Sequence, residues 1–459
     1  MGYRSVAPQR PPHGTANTTA DVDPSTSVLA HSVGWRSRGS PSGGTLVEER
    51  HRGPRTEPDS RRRSAGVDTR LRAGGRLPRS VRPRPDEPGH AHLLFEEGLR
   101  LFSEGDLAAA ESCWMRAIEA DPALTEAWSN IGKAREADGR LREAADSYRR
   151  AISDGVGDPQ EAWFHLGNVQ DALGEHAAAA QAYEQALRIA PTMFQAWNNL
   201  GNAHAALEQI EEAIASYRRA AEIRPDSFEV WFNLGNVLSD IGRPGDSVRA
   251  YRRALALRAD QAEVWFRLGF DQAALGNHDE AIEAYTEACR LAPGDAEAWY
   301  NLGSAYLDRG DAEHAEQAMR AAVALRPDDH ESWNNLGNAL VRQARSGEAA
   351  ECFRRAIGVR PEYHPAWSNL GSVLEESGDL EGSVEAHLHA VDLAPARGTT
   401  LLGASSVLAR LHRESEAVDL VDRALEAQPA LRDLLPGFPE LGKVVRHPRV
   451  RARLQGPSS

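Results

Sequence analysis

Apolar and small residues recur at fixed intervals along the middle of the chain. Eight tryptophans are separated by one interval of 35 residues and then six of 34: Trp128, Trp163, Trp197, Trp231, Trp265, Trp299, Trp333 and Trp367. When each Trp is numbered as position 4 of a unit, Gly recurs at position 8, a small residue at 20, a large and mostly aromatic residue at 24 and Ala at 27. Such a register does not arise by chance, so the pattern predicts an array of structural repeats.

The spacing within a unit predicts a helical hairpin. Positions 4, 7, 8 and 11 lie on one face of a helix with 3.6 residues per turn, and so do positions 20, 24 and 27 of a second helix. Gly at position 8 lets a neighbouring helix approach closely, and Pro at position 32, present in most units, ends the second helix. One hairpin cannot bury its apolar face alone, so we expect the units to stack as an all-α solenoid.

These motifs resemble the tetratricopeptide repeat (TPR) family, because W-x-N-L-G, Ala, the aromatic residue, Ala and Pro all stand at its spacing. The variant W-x-N-L-G-N is similar to the superhelical repeats of O-GlcNAc transferase, without its catalytic domain. The resemblance implies a right-handed solenoid of ten helix-turn-helix repeats, the last of them degenerate. The repeats are expected to start near residues 91, 125, 160, 194, 228, 262, 296, 330, 364 and 398.

Charge and composition divide the chain into three parts. Residues 1–88 contain 16 Arg and 9 acidic residues, a balance of +7, and are rich in Pro, Gly and Ser. Because they hold few large apolar residues, we expect this segment to be disordered. Residues 89–431 carry a charge of -25 and form the predicted TPR superhelix. Residues 432–459 are interpreted as a C-terminal cap with its basic side toward solvent, since a solenoid needs a polar cover at its ends.

A row of polar residues on the first helix predicts a binding surface. Positions 6 and 9 lie opposite the core side of the helix, and Asn recurs at both although Asn is a mediocre helix former. In the TPR family this face lines a concave groove, and in the similar repeats of O-GlcNAc transferase an asparagine ladder holds the main chain of the substrate. The candidate groove residues are Asn130, Asn168, Asn199, Asn202, Asn233, Asn236, Arg267, Asn301, Asn335, Asn338 and Asn369. The alternative is that these residues only follow a repeated consensus and bind nothing in particular.

Two further rows accompany the asparagines. Position 2 is mostly acidic, which complements the helix dipole and would also favour partners with Lys or Arg: Glu126, Glu161, Gln195, Glu229, Glu263, Glu297 and Glu331. Position 5 carries aromatic residues that either anchor a ligand or pack half-buried: Phe164, Phe232, Phe266 and Tyr300.

No motif points to catalysis, a metal or a cofactor. The sequence lacks H-E-x-x-H, paired Cys and G-x-x-x-x-G-K, and we interpret Cys113, Cys289 and Cys352 as small apolar residues. We therefore expect a protein that is not an enzyme. No segment has the run of roughly eighteen apolar residues that spans a membrane, and no signal peptide is recognised, so we expect a cytoplasmic protein.

The sequence thus predicts a protein-protein interaction scaffold that binds an extended segment of a partner protein or peptide in the groove. Two alternatives remain open. The first is a regulator or adaptor whose basic residues 1–88 contact nucleic acid or an anionic surface, because Arg-rich segments neutralise phosphates. The acidic repeats argue against nucleic acid in the groove itself. The second is an accessory subunit of a glycosyltransferase.

Overall fold

The computed structural model describes residues 89–455, and these residues form helices and turns without any β-strand. The predicted disordered segment 1–88 lies outside the described residues. Twenty helices form ten antiparallel pairs: α1 His90–Ser103, α2 Leu107–Ala120, α3 Glu126–Ala137, α4 Leu141–Ser153, α5 Pro159–Ala172, α6 His176–Ile189, α7 Phe194–Ala206, α8 Ile210–Ile223, α9 Phe228–Asp240, α10 Pro244–Leu257, α11 Ala262–Ala274, α12 His278–Leu291, α13 Ala296–Arg309, α14 Ala312–Leu325, α15 His330–Arg342, α16 Ser346–Val359, α17 His364–Glu376, α18 Leu380–Leu393, α19 Gly398–Arg410 and α20 Glu414–Ala427. The prediction of an all-α repeat solenoid is confirmed.

The two helices of a repeat meet where glycine faces an aromatic ring. A Cβ atom added to Gly235 of α9 would lie 2.5 Å from the ring of Tyr251 on α10, so only a residue without a side chain permits this contact. Tyr251 is fully buried, as are the alanines at positions 20 and 27. Close packing of this kind has the density of an organic crystal. The core continues from one repeat to the next, because its clusters join residues of neighbouring repeats.

The turn inside each repeat requires one residue in the left-handed conformation. Gly242 has a φ of 72° there, whereas Glu208 holds the same place in its repeat with a φ of 59°. Glycine adopts this conformation without a steric penalty, and it therefore fills most of these turns.

Neighbouring repeats are joined through the tryptophans at position 4. The indole Nε1 of Trp231 donates a hydrogen bond to the carbonyl oxygen of Pro225 at 2.8 Å, and Trp367 donates to Pro361 at 2.7 Å. These tryptophans are half-buried. The recurring Trp therefore closes the turn between two repeats, and Trp265 donates the same bond to the carbonyl oxygen of Ala259, where Pro is absent.

A cap of short helices covers the last repeat. Three 3-10 turns, Pro429–Asp433, Leu435–Gly437 and Pro439–Leu441, precede α21 (Gly442–Arg446) and α22 (Pro448–Gln455). Their apolar side chains join the core of α19 and α20: Leu431, Leu435, Leu441, Val444 and Val450.

The basic residues of the cap are exposed, and two of them also pair with a buried carboxylate of the last repeat. Asp422 of α20 is 2% exposed and accepts bonds from Arg449 (2.8 Å) and Arg453 (2.7 Å). The bond from Arg453 is the main reason why the pKa of the Asp422 carboxyl lies below its ordinary value. A buried carboxylate needs such partners, so these arginines attach α22 to the solenoid.

Candidate peptide-binding groove

The first helices of the repeats line the inner side of the solenoid. Among the described residues, successive first helices from α3 to α9 and from α11 to α19 contact one another, whereas successive second helices do not come into comparable contact. In a curved stack, the helices that approach each other are those on the concave side. The predicted groove residues lie on α3 to α17, and therefore on this inner side.

Asparagines of neighbouring repeats are hydrogen-bonded to each other across this surface. In three places Nδ2 of the asparagine at position 6 donates to Oδ1 of the asparagine at position 9 in the preceding repeat. The distances are 2.9, 3.2 and 3.0 Å for Asn199–Asn168, Asn233–Asn202 and Asn369–Asn338. We call these three pairs the amide ladder. The structure thus brings six of the predicted residues together in pairs.

The asparagines at position 9 are also held by the core. The hydroxyl of the tyrosine at position 24 donates to Oδ1 of the asparagine in its own repeat, at 2.9, 2.6 and 2.9 Å for Tyr183–Asn168, Tyr217–Asn202 and Tyr251–Asn236. Each tyrosine ring is buried against the glycine at position 8. The orientation of these amides is therefore set from inside the repeat.

This arrangement leaves a row of donors. Within residues 89–455, Oδ1 accepts at least one hydrogen bond at every position-9 asparagine, but Nδ2 donates to no protein acceptor: Asn168, Asn202, Asn236 and Asn338. An amide nitrogen carries two N–H donors. The groove therefore offers oriented donors, which suit the carbonyl oxygens of an extended main chain.

Four of the predicted residues are buried, which contradicts the expectation that they face solvent. Asn301, Asn335, Asn338 and Asn369 are only 1 to 7% exposed, whereas the other predicted asparagines are half-buried. The physical reason is that the first helices approach one another, so side chains on the inner side cover their neighbours. Nδ2 of Asn369, for example, donates to both Asn338 and Asn334.

The ladder is interrupted in the sixth repeat. Arg267 replaces asparagine at position 6, and its Nε donates to Glu263 Oε1 at 3.1 Å. Phe270 replaces asparagine at position 9 of the same repeat. Asn130, at the other end of the row, follows a repeat with Leu99 at position 9 and has no ladder partner there. The structure does not bring these residues into the amide ladder.

Internal ion pairs neutralise part of the acidic row at position 2. Glu229 accepts a bond from Arg258 at 2.6 Å, and Glu161 lies 3.6 Å from the Lys133 ammonium. Burial opposes ionisation of Glu229, but hydrogen bonds from its own backbone, from Ser227 and from Arg258 hold the pKa of its carboxyl below the ordinary value. The row is therefore a weaker attractor for basic partners than the sequence indicates.

The aromatic residues at position 5 are half-buried, and the three phenylalanines among them pack on tyrosines of the core. The rings of Phe232 and Phe266 lie 6.4 and 5.8 Å from those of Tyr251 and Tyr285. The residues at position 5 are thus packing residues of the repeats rather than freely exposed anchors.

Comparison with protein families identifies the repeats. The model described as the cilia and flagella-associated protein 70 C-terminal domain, a TPR domain, matches residues 91–255 and 214–434, together three quarters of the chain. The chain belongs to this TPR family. No curated protein sequence matches it significantly.

Several solved TPR structures are similar to the chain. YrrB, described as a TPR protein with an unusual peptide-binding site, is 24% identical, with a TM-score of 0.38 over 41% of this chain and 96% of its own. MamA from Desulfovibrio magneticus RS-1 is 24% identical, with a TM-score of 0.35 over 37% of this chain and 96% of its own. The APC/C hetero-tetramer Cut9-Hcn1 is 16% identical, with a TM-score of 0.37 over 76% of each chain. At these identities the likeness concerns the fold.

Sequence reasoning did not find the tyrosine contacts of the TPR groove. A signal was present, because Tyr at position 24 and Asn at position 9 occur together in three successive repeats: Tyr183 and Asn168, Tyr217 and Asn202, Tyr251 and Asn236. The fifteen-residue spacing between the members of each pair joins the two helices of one hairpin.

The cysteines of the TPR array are packing residues. Burial raises the pKa of Cys289 to about 12 and that of Cys352 to about 11, so both remain thiols at neutral pH. Between residues 89 and 455, no group of three or more His, Cys, Asp or Glu could hold a metal ion, and no helix is long and apolar enough to cross a membrane. The specific resemblance to the repeats of O-GlcNAc transferase stays a prediction.

Proposed function

We propose that the protein is an interaction scaffold that holds an extended segment of a partner protein along the inner face of its TPR solenoid. The observation that supports this most directly is the row of amide nitrogens at position 9. Their oxygens are occupied by tyrosine hydroxyls and by the amide ladder, while the nitrogens of Asn168, Asn202, Asn236 and Asn338 have no protein acceptor among residues 89–455.

Donors of this kind recognise main chain rather than a particular sequence. A peptide in an extended conformation presents carbonyl oxygens that each accept a hydrogen bond. Because the amides are already oriented, binding requires little further loss of side-chain freedom. The resemblance of W-x-N-L-G-N to the repeats of O-GlcNAc transferase supports the same binding mode.

The sequence of the partner is then chosen by side chains around the donors. The unpaired part of the acidic row favours segments with Lys or Arg, because opposite charges attract and steer association. This preference is part of the proposal.

The basic composition of residues 1–88 supports a second candidate function. Their balance of +7 would allow contact with nucleic acid or an anionic surface, while the acidic repeats recruit a protein. The test measures the affinity for nucleic acid at increasing salt concentration. A steep loss of affinity in the full chain, but not in a chain without residues 1–88, would support this role.

The groove can be tested with an isosteric change that replaces each donor with a carboxylate oxygen. In the variant Asn202→Asp with Asn236→Asp, Oδ1 still accepts from Tyr217 and Tyr251, but each free Nδ2 is replaced by an oxygen. The probe is a peptide selected on the full chain from a random display library. Loss of two hydrogen bonds of about 0.5 to 1.5 kcal/mol each should reduce the affinity for this peptide roughly ten-fold. The melting temperature of the variant should be unchanged.

A charge-matched control separates donor loss from added negative charge. Gln181 and Gln317 are exposed on second helices, α6 and α14, and Gln181→Glu with Gln317→Glu adds the same charge outside the groove. The control should bind the peptide as the native chain does. Equal affinity of the folded Asn202→Asp, Asn236→Asp variant and the control would remove the donors from the mechanism.

A further inference from the structure

A pocket interrupts the inner face where the repeat interval is 35 instead of 34. It has a volume of about 130 Å³ and lies between α1, α3 and α5, next to the candidate groove residue Asn130. Its apolar walls are Phe95, Tyr148 and Val156, of which Tyr148 is fully buried. The amide ladder does not extend to this pocket, because Asn130 lines it but His165 stands at position 6 and Lys133 at position 9 of their repeats.

The extra residue shapes this pocket. In the loop between α4 and α5, Gly155 has a φ of 80°, and the following Val156 turns inward and is 7% exposed. The loop then passes close to Glu126, since a Cβ atom on Gly157 would lie 3.4 Å from its Oε1. The next residue, Asp158, lines the pocket beside Glu126.

The polar groups of the floor lie against one another. The Tyr148 hydroxyl donates to Glu136 Oε2 at 2.8 Å, and the His165 ring stacks on the Tyr148 ring with centroids 5.5 Å apart. His165 Nδ1 lies 3.5 Å from the same Glu136 oxygen. The floor is thus a set of fixed aromatic rings.

The rim carries an excess of negative charge. Glu126, Asp158 and Glu161 line the pocket, and Lys133 supplies one ammonium, 3.6 Å from Glu161. Three carboxylates against one ammonium leave a formal charge of -2. The position of Lys133 shows that a cationic side chain fits against this rim.

We propose that this pocket binds the guanidinium group of an arginine side chain in the partner segment. This inference rests on the proposed function, since the pocket adjoins the asparagine row and would anchor one end of the bound segment. Guanidinium is planar, pairs with carboxylates through several N–H groups and stacks on aromatic rings. The pocket supplies both surfaces, carboxylates at the rim and the rings of Phe95 and His165 in the wall, with the buried Tyr148 ring behind His165.

A small probe tests the pocket without any selected peptide. N-acetylarginine amide is titrated into the full chain, and the methyl NMR signals of Val156 and Ala162, both in the pocket lining, are followed. N-acetylcitrulline amide is the neutral analogue of nearly the same shape. Saturable shifts at millimolar concentration are expected with the arginine compound and not with the citrulline compound, because only the former carries a charge.

Removal of the rim charge should weaken binding. Glu126→Gln with Glu161→Gln is expected to reduce the affinity for the arginine amide about ten-fold, because two charge-assisted hydrogen bonds become neutral. Glu184 and Glu283 are exposed on second helices, α6 and α12, so Glu184→Gln with Glu283→Gln is the charge-matched control and should leave the affinity unchanged. If the double rim variant does not fold, Glu126→Gln alone replaces it.

Three results would overturn the proposal: no shift of the two methyl signals, equal shifts with citrulline, or unchanged affinity in the folded rim variant. None of them depends on the asparagine row. Conversely, a failure of the Asn202→Asp, Asn236→Asp test would leave the arginine titration intact, so the two proposals fail separately.

Discussion

The fifth repeat, 228–261, and the sixth, 262–295, have the same helix pair and the same apolar contact but differ on the inner face. A Cβ atom would lie 2.5 Å from Tyr251 if added to Gly235, and 2.8 Å from Tyr285 if added to Gly269. The hydroxyl of Tyr251 donates to Asn236, whereas the buried hydroxyl of Tyr285 has no hydrogen-bond partner among residues 89–455. Phe270 stands where that partner would be.

The comparison separates what makes a repeat from what makes a groove. The glycine and tyrosine contact is a matter of shape, and it is met in both repeats because each must fold against its neighbours. The hydrogen bond from the tyrosine hydroxyl to the asparagine at position 9 serves function or local stability. The sixth repeat lacks this bond and still folds. A substitution at the glycine should therefore lower the stability of both repeats equally. A substitution that removes the tyrosine hydroxyl should affect the stability of the two repeats differently.

The largest effect is expected at the glycine, and it should be the same in both repeats. Gly235→Val and Gly269→Val each force methyl groups into a fully buried ring, at a cost of about 3 kcal/mol or more from overpacking. The measurement is the free energy of local opening from hydrogen exchange of α9 and α10 or of α11 and α12.

Gly245 provides the matched control for this substitution. A Cβ atom there meets nothing within 4 Å, and the residue lies in the first turn of α10. Gly245→Val should leave stability unchanged or raise it, because Val is the better helix former. A tolerated Gly235→Val would show that the core contact is not a common requirement of the repeats.

A pH-dependent effect is expected in the ninth repeat, where a histidine takes the place of the tyrosine. His387 is buried, and both ring nitrogens lack hydrogen-bond partners among the described residues. Burial lowers its pKa to about 4 from an ordinary value of 6.5. The folded state therefore binds the proton less well than the unfolded state. The stability contributed by neutral His387 is full above pH 6.5 and is lost as the pH falls to 4, by about 3 kcal/mol in total.

The variant His387→Phe should remove this dependence while keeping a ring in the same space, as Phe353 does in the eighth repeat. Hydrogen exchange of α17 and α18, corrected for intrinsic rates, would be compared between pH 7 and pH 4 in both proteins. A native chain that loses no more stability than the variant over this range would contradict the buried, neutral histidine.

The fold was predictable because its determinants repeat along the chain. Trp and Gly, as at Trp231 and Gly235, and Ala at position 27 perform the same geometric task in all eight units, and Pro does so in most, so the register is unambiguous. The groove was only partly predictable. Helical periodicity places Asn233 and Asn335 on the inner side, but whether such a side chain is half-buried or buried depends on how closely the next first helix approaches.

The pairing of amides depends on contacts between repeats, which periodicity does not describe. Asn199 and Asn168 are 31 residues apart, and their bond exists because two particular units carry Asn at complementary positions. The pocket near Asn130 was also beyond prediction. The interval of 35 residues shows that the sequence holds one extra residue here, but only the folded loop shows that Val156 turns inward and that Asp158 lies beside Glu126.

The smallest effect is expected from removing the tyrosine hydroxyls, and it should differ in sign between the two repeats. Tyr251→Phe removes the 2.9 Å bond to Asn236 and should cost about 1 kcal/mol. Tyr285→Phe removes a buried hydroxyl without a partner, so stability should stay the same or rise by up to about 1 kcal/mol. Both changes keep the ring against its glycine, so neither alters the apolar contact. Hydrogen exchange of the two repeats in both variants is the measurement. An equal loss of stability in both variants would mean that the Tyr285 hydroxyl has a partner of its own, for instance a bound water. The sixth repeat would then differ from the fifth in the partner of this hydroxyl and not in the absence of a hydrogen bond.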